Sequence, residues 1–184
     1  RPVLYSLRNC PYAMRARIAI YRAQLPIYIR DIVLSDKPVE MLELSPKGTV
    51  PVLVTSKSKV IEESLEVMLW ALAQSDPDDL LFCTDENYLH QILELIYCFD
   101  HEFKPLLEAY KCAKRYSESN IVQCREACEI HINALNERLG SHAFLISDRE
   151  SLADIALLPF IRQFARVERQ WYRQAPYPHL KRWL

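Results

Sequence analysis

The run Asn9-Cys10-Pro11-Tyr12-Ala13-Met14-Arg15 marks a passage from strand to helix. Before it, Val3-Leu4-Tyr5-Ser6-Leu7 is a short apolar stretch that predicts a strand. Behind it, Met14, Ile18 and Tyr21 recur at helical spacing to about Ala23, and Ala13, Ala16 and Ile20 form a second apolar stripe. Pro11 stands at the first helical position, where its missing N–H costs nothing. Cys10 then falls at the N-cap, facing unpaired amide N–H groups and the positive end of the helix dipole. A thiolate is favoured at such a place, and Arg8 and Arg15 add positive charge nearby. Cys10 is therefore a candidate nucleophile rather than a small buried hydrophobe. Three residues on stands Ala13 instead of a second cysteine, so the expected chemistry is that of a single thiol.

Outward from this point the chain reads β-α-β, loop, β-β-α. Pro26 stops the first helix, and Ile27–Val33 is rich in β-branched residues, which predicts a parallel strand reached by a right-handed crossover. Leu34–Leu44 predicts a loop with one helical turn after Pro38, and Ser45-Pro46-Lys47-Gly48 is turn chemistry. Val50–Val54 and Lys59–Ile61 predict an antiparallel hairpin, and Ser64 the N-cap of a helix to about Gln74. Asp76-Pro77-Asp78-Asp79 reads as a linker. Only helices follow: about Glu86–Lys114 with a kink at Pro105, about Glu118–Leu139 ending at Gly140, Leu152 to about Gln170, and a start after Pro178. The expected organisation is an α/β domain over residues 1–75, a linker over 76–85 and an all-helical domain over 86–184.

Composition narrows the function classes. The 184 residues carry net charge −1 with half of them hydrophobic, which gives no case for nucleic acid or an anionic membrane surface as partner. Residues 1–75 hold ten Lys/Arg against seven Asp/Glu, a small positive excess that suits an anionic ligand. The six cysteines form no zinc or disulfide framework, so a reducing, cytoplasmic location is expected. Two glycines exclude a Gly-rich phosphate loop. The longest apolar candidate for a membrane span, around 11–33, contains four arginines. Cys124, Cys128 and His131 share metal-ligand spacing, but the cysteines continue the stripe Ile121, Ile132, Leu135 and Leu139. They are assigned to the core, and no metal is expected. The chain starts at Arg1 and stops soon after a helix begins, so residues are expected to be missing at both ends.

Four motifs, Cys10-Pro11-Tyr12-Ala13 with Arg15, Asp36-Lys37-Pro38, Thr49-Val50-Pro51-Val52-Leu53 and Ile61-Glu62-Glu63-Ser64, resemble in order and spacing those of the cytosolic glutathione transferases. The resemblance spans essentially the whole chain. It is strongest to the cysteine-type members: the omega class, the dehydroascorbate reductases and the two-domain glutaredoxins. It implies a thioredoxin-like N-terminal domain (β-α-β-β-β-α with a mixed sheet) followed by an all-α C-terminal bundle. Glutathione is the implied co-substrate, with Cys10 catalytic. The resemblance further implies a cis Val50–Pro51 bond that presents the Val50 backbone to the cysteinyl unit of glutathione. Glu63 would take the γ-glutamyl ammonium, with Glu62 as the alternative, and Ser64 its carboxylate. Lys37 would reach the glycyl carboxylate, and Tyr12 would flank the thiol. Tyr97, His101 and Tyr110 lie on the helix that in this family faces the acceptor. Ser151 and Asp154 form a capping box, a structural feature. Trp70, Trp171 and Trp183 are read as packing.

The function expected is thiol transfer, with a small-molecule or protein disulfide as second substrate and dehydroascorbate-type reduction as an extension. Conjugation of glutathione to electrophiles ranks second, because Tyr5 and Ser6 do not stand at the usual place for an activating hydroxyl. A non-enzymatic binding module of the same fold is the third reading. A homodimer is expected, since most of the family forms one, whereas the two-domain glutaredoxins do not.

Overall fold

In β1 (Val3–Ser6), Leu4 and Tyr5 point to opposite faces, and both are buried. β1 pairs in parallel with β2 (Tyr28–Asp31) and antiparallel with β3 (Val52–Val54), which carries β4 (Val60–Ile61) antiparallel on its far side. The order β2-β1-β3-β4 makes a mixed sheet. Its parallel pair needs a crossover, supplied by α1 (Pro11–Arg22). One sheet face gathers Tyr5, Ile32 and Val52 with Met41 from α2 (Val39–Leu44). On the opposite face, Leu4, Leu53 and Ile61 are register neighbours, each at most 5% exposed.

The structure, a computed structural model, describes residues 1–184 and divides into two units, Arg1–Leu80 and Leu81–Leu184. In the first, α1 packs against α3 (Ser64–Gln74). The buried face of α1 is mostly small, Ala13, Ala16 and Ala19, which brings the two helix axes close. Of the two apolar stripes expected on α1, Ala13, Ala16 and Ile20 are buried, whereas the other is covered only in part: Met14 and Ile18 are half-buried, and Tyr21 is 81% exposed. The strand expected over Ile27–Val33 is shorter, an edge strand with all four residues exposed.

The second unit is helical: α4 (Glu86–Cys98), α5 (Lys104–Arg115), α6 (Ile121–Ser141), α7 (Leu152–Val167), α8 (Arg169–Gln174) and α9 (Pro178–Trp183). Three boundaries differ from the sequence expectation. The single helix over 86–114 widens into a π-helical turn at Phe99–Phe103. Pro105 offers no N–H to the His101 carbonyl, and its ring would clash there, so the coil opens just upstream. The third helix ends at Val167, and α8 restarts after Glu168. Gly140 does not stop α6. It lies in the last turn, where an added Cβ would come within 3.1 Å of the His179 ring on α9, so glycine there allows a close approach rather than acting as a cap.

Two buried polar side chains tie the helices of this unit together. Asn136 of α6 accepts from the amides of His179 and Leu180 at 3.0 and 3.1 Å, and so caps α9. Asp154 closes the capping box with Ser151, and also accepts from Leu145 N–H at 3.0 Å and Trp183 Nε1–H at 2.8 Å. Trp183 thus has a hydrogen-bonding role beyond packing. Asp154→Ala would strand several buried donors, each costing about 1–3 kcal/mol when unsatisfied. Urea denaturation of that variant is expected to show a loss of about 3 kcal/mol. Asp154→Asn, which keeps one acceptor oxygen, should lose less.

Candidate active site

Cys10 is the N-cap of α1, with extended backbone (φ −77°, ψ 121°), while its carbonyl already accepts from Met14 N–H at 2.8 Å. Its side chain makes no capping bond, and the first turn of α1 holds no acidic residue. The thiol therefore sits at the positive end of a helix whose first turn carries no negative side chain. Arg17 fixes the approach to Cys10. Its guanidinium donates to Ser6 Oγ, to the Leu7 carbonyl at 3.1 Å and to the Arg8 carbonyl at 2.8 Å, so the loop between β1 and α1 is held from below. The half-buried Cys10 Sγ lies 4.0 Å from the Val50 carbonyl oxygen.

Cys10 opens into a cavity of about 580 Å³ that also holds Tyr12, Lys37, Val50, Pro51, Glu63 and Ser64. Seven residues singled out in the sequence thus lie around one space, with Leu7, Leu34, Lys47, Gly48, Thr49 and Glu62 completing its wall. The Val50–Pro51 bond is cis. Gly48 has φ +62°, a left-handed conformation that favours glycine, and the Lys37 ammonium would lie 3.2 Å from a Cβ placed there. Lys37 is thereby laid over the turn at the edge of the cavity.

The start of α3 differs from the expectation. Its N-cap is Glu63 (φ −92°, ψ 130°), and Ser64 is the first helical residue, 4% exposed. Ser64 does not cap the helix because its oxygen is engaged elsewhere: Arg15 Nε donates to Ser64 Oγ at 2.9 Å. Arg15 itself is 2% exposed, with the Tyr12 ring 5.8 Å from its guanidinium carbon. The sequence marked Arg15 as nearby positive charge and as a member of the Cys10 motif, and did not reveal the side chain it bonds. Its place among Ala13, Ala16 and Ala19 was the available sign that this cation faces inward.

Two further contacts around the cavity were not anticipated. Lys47 Nζ and Glu63 Oε1 form an ion pair at 2.6 Å. The hydrogen bond that Lys47 donates to Glu63 outweighs partial burial and holds the Lys47 ammonium above its ordinary pKa, so it stays charged. Ser45 donates its hydroxyl proton to Glu62. Both acidic residues already have a partner, and they lie too far from these partners in sequence for local pattern to reveal it.

The aromatic candidates of the second unit divide. Tyr97 is 61% exposed and stacks on His101 at 3.9 Å between centroids. Tyr110 is fully buried and donates to Glu168 at 2.8 Å; burial, reinforced by that carboxylate, pushes its pKa up. It is part of the helical core and is not open to a substrate. Cys128 is also fully buried, and burial pushes its thiol up to about 12. The ring of His131 packs edge-on to Phe103, as core residues do.

Ser64→Ala is expected to lower folding stability by about 2 kcal/mol, the cost of a hydrogen bond to a buried charge. Thermal and urea denaturation measure this independently of any ligand. An unchanged midpoint would contradict the role of Ser64 as the seat of Arg15.

Both parts of the chain match models of one family. Residues 4–78 match the glutathione S-transferase N-terminal domain, and residues 122–184 the C-terminal domain. Mouse glutathione S-transferase omega-1 is 28% identical over 182 residues, covering 98% of this chain and 74% of that protein. Human glutathione S-transferase omega-2 is 31% identical over 114 residues, 60% of this chain and 46% of that one. Among solved structures, the unclassified glutathione S-transferase 2 of Bombyx mori superposes with a TM-score of 0.85 at 18% identity, covering 99% of this chain and 85% of that one. At that identity the structural match speaks for the fold. Taken with the two domain matches and the omega-class relatives, it places the chain in the glutathione S-transferase family, whose co-substrate is glutathione.

Proposed function

We propose that this protein is a glutathione-dependent thiol transferase in which Cys10 is the nucleophile. The observation that carries the reading is the N-cap position of Cys10, open to a cavity that also presents Val50, Glu63 and Ser64. The first unit is then the glutathione-binding domain.

The Cys10 thiolate attacks the glutathionyl sulfur of a mixed disulfide. A Cys10–glutathione disulfide forms, the original S–S bond breaks, and the departing thiolate takes a proton. A second glutathione thiolate attacks the glutathionyl sulfur on Cys10, releasing glutathione disulfide and restoring the Cys10 thiolate. No net electrons come from the protein. The N-terminal amides of α1 favour Cys10 as attacking thiolate in the first step and as leaving group in the second. Glutathione binds with its cysteinyl backbone on Val50, its ammonium at Glu63 and its glycyl carboxylate towards Lys37, with Tyr12 beside the sulfur. Tyr97 and His101 are the candidates for contacting the acceptor, and dehydroascorbate-type reduction is a further outlet for the same thiol.

Conjugation needs a hydroxyl that activates glutathione's own sulfur. Tyr5 is 4% exposed with Arg30 against its ring, and the Ser6 hydroxyl is held by Arg17. Neither lines the cavity, which favours thiol transfer. A non-enzymatic role is separated from both by turnover.

With hydroxyethyl disulfide and glutathione as substrates, the wild-type protein should turn over, and Cys10→Ala should lose at least about a hundredfold in rate, as expected on removal of a nucleophile. Cys10→Ser should behave likewise for exchange. Undiminished exchange in Cys10→Ala would overturn the assignment.

A further inference from the structure

Glutathione carries one ammonium and two carboxylates, and the charged groups lining the Cys10 cavity answer these unequally. Glu62 is taken by the Ser45 hydroxyl. Glu63 is the carboxylate with an exchangeable partner: it pairs with Lys47, and the two side chains are 68% and 41% exposed. An ion pair this open to water is weak and is easily rearranged by a ligand. The cations lining the cavity are Lys37 and Lys47, one for each carboxylate of the peptide.

We propose that Lys47 is a specificity-determining residue that recognises the α-carboxylate of the γ-glutamyl end, so that the Lys47–Glu63 pair is a preformed receptor for a free α-amino acid zwitterion. The inference rests on the reading that glutathione occupies this cavity. On binding, the ligand ammonium inserts at Glu63 and its α-carboxylate meets Lys47, giving a ring of four alternating charges in place of the single ion pair. No charge is left without a partner by the exchange. Ser64 completes the arrangement. Its oxygen accepts from Arg15 at 2.9 Å, which leaves its hydroxyl proton to donate to the same carboxylate. Arg15 thereby acts as a positioning residue for the subsite. The substrate class that follows is thiols bearing an unblocked α-amino acid terminus.

The opposite role for Lys47 is that of a competitor, an intramolecular stand-in for the ligand ammonium whose removal would free Glu63. Isothermal titration calorimetry separates the two, using glutathione and N-acetylglutathione with the wild-type protein, Lys47→Met and Lys47→Arg. The expected result is glutathione binding weakened about tenfold in Lys47→Met, the order expected for a charge-assisted hydrogen bond, and largely restored in Lys47→Arg. N-acetylglutathione, which cannot open the ion pair, should bind the wild type more weakly and respond little to Lys47→Met. A Lys47→Met protein that binds glutathione as tightly as wild type, or more tightly, overturns the role of Lys47 and leaves the proposed function standing. A wild-type protein that binds no glutathione overturns both.

Discussion

A guanidinium in the interior of the first unit decides where the two helix starts of the site lie. Arg15 is buried on α1 and donates to Ser64 at the first position of α3, 49 residues away in sequence. A buried cation is tolerable only if its donors are met, so the start of α3 is held against α1 at this level. Cys10 caps the helix five residues before Arg15, and Glu63 and Lys47 are tied to the start of α3. The spacing between Cys10 and the Glu63–Lys47 pair therefore follows from a packing requirement in the core. The buried side chains of α1 are mostly small, at Ala13, Ala16 and Ala19, and larger ones there would disturb the packing around α1.

The site is a balance of a rigid side and an exchangeable side. Arg17 holds the strand-to-helix loop through three acceptors, and the N-cap geometry orients Cys10 without tying up its sulfur in a capping bond. Across the cavity, Glu63 and Lys47 meet at the solvent edge, where charges change partners cheaply. Under the proposed function, a thiol that alternates between attacking and leaving needs a fixed electrostatic field, and a subsite that admits and releases a tripeptide needs partners it can trade.

Local chemistry was legible in the sequence wherever it fixes the backbone directly. A strand, then Cys-Pro, then helical periodicity led to the N-cap cysteine, and the succession of strands and helices along the chain followed from Pro and Gly punctuation. What escaped were the partners set by tertiary packing. Ser64 looks like a cap because serine at a helix start usually is one; Arg15 takes its oxygen, and Glu63 supplies the extended cap residue instead. Gly140 looks like a helix stop, whereas its cause is His179, 39 positions later. Tyr110 sits on an aromatic stripe whose periodicity cannot say which side is covered. Its hydroxyl finds Glu168, 58 residues on, in the core of the second unit. Lys47 and Glu63 are 16 residues apart, on a turn and a helix start that only the folded sheet brings together.

Of the six cysteines, Cys10 is the one proposed to exchange with glutathione, on the strength of its surroundings. Exposure alone would favour Cys83 and Cys98. The direct measurement is brief treatment of the reduced protein with glutathione disulfide, followed by intact-mass analysis and peptide mapping. A single glutathionyl group, carried by Cys10 before the two exposed cysteines react, is the result predicted here. Label that appears first on Cys83 and Cys98, with Cys10 untouched, would contradict it.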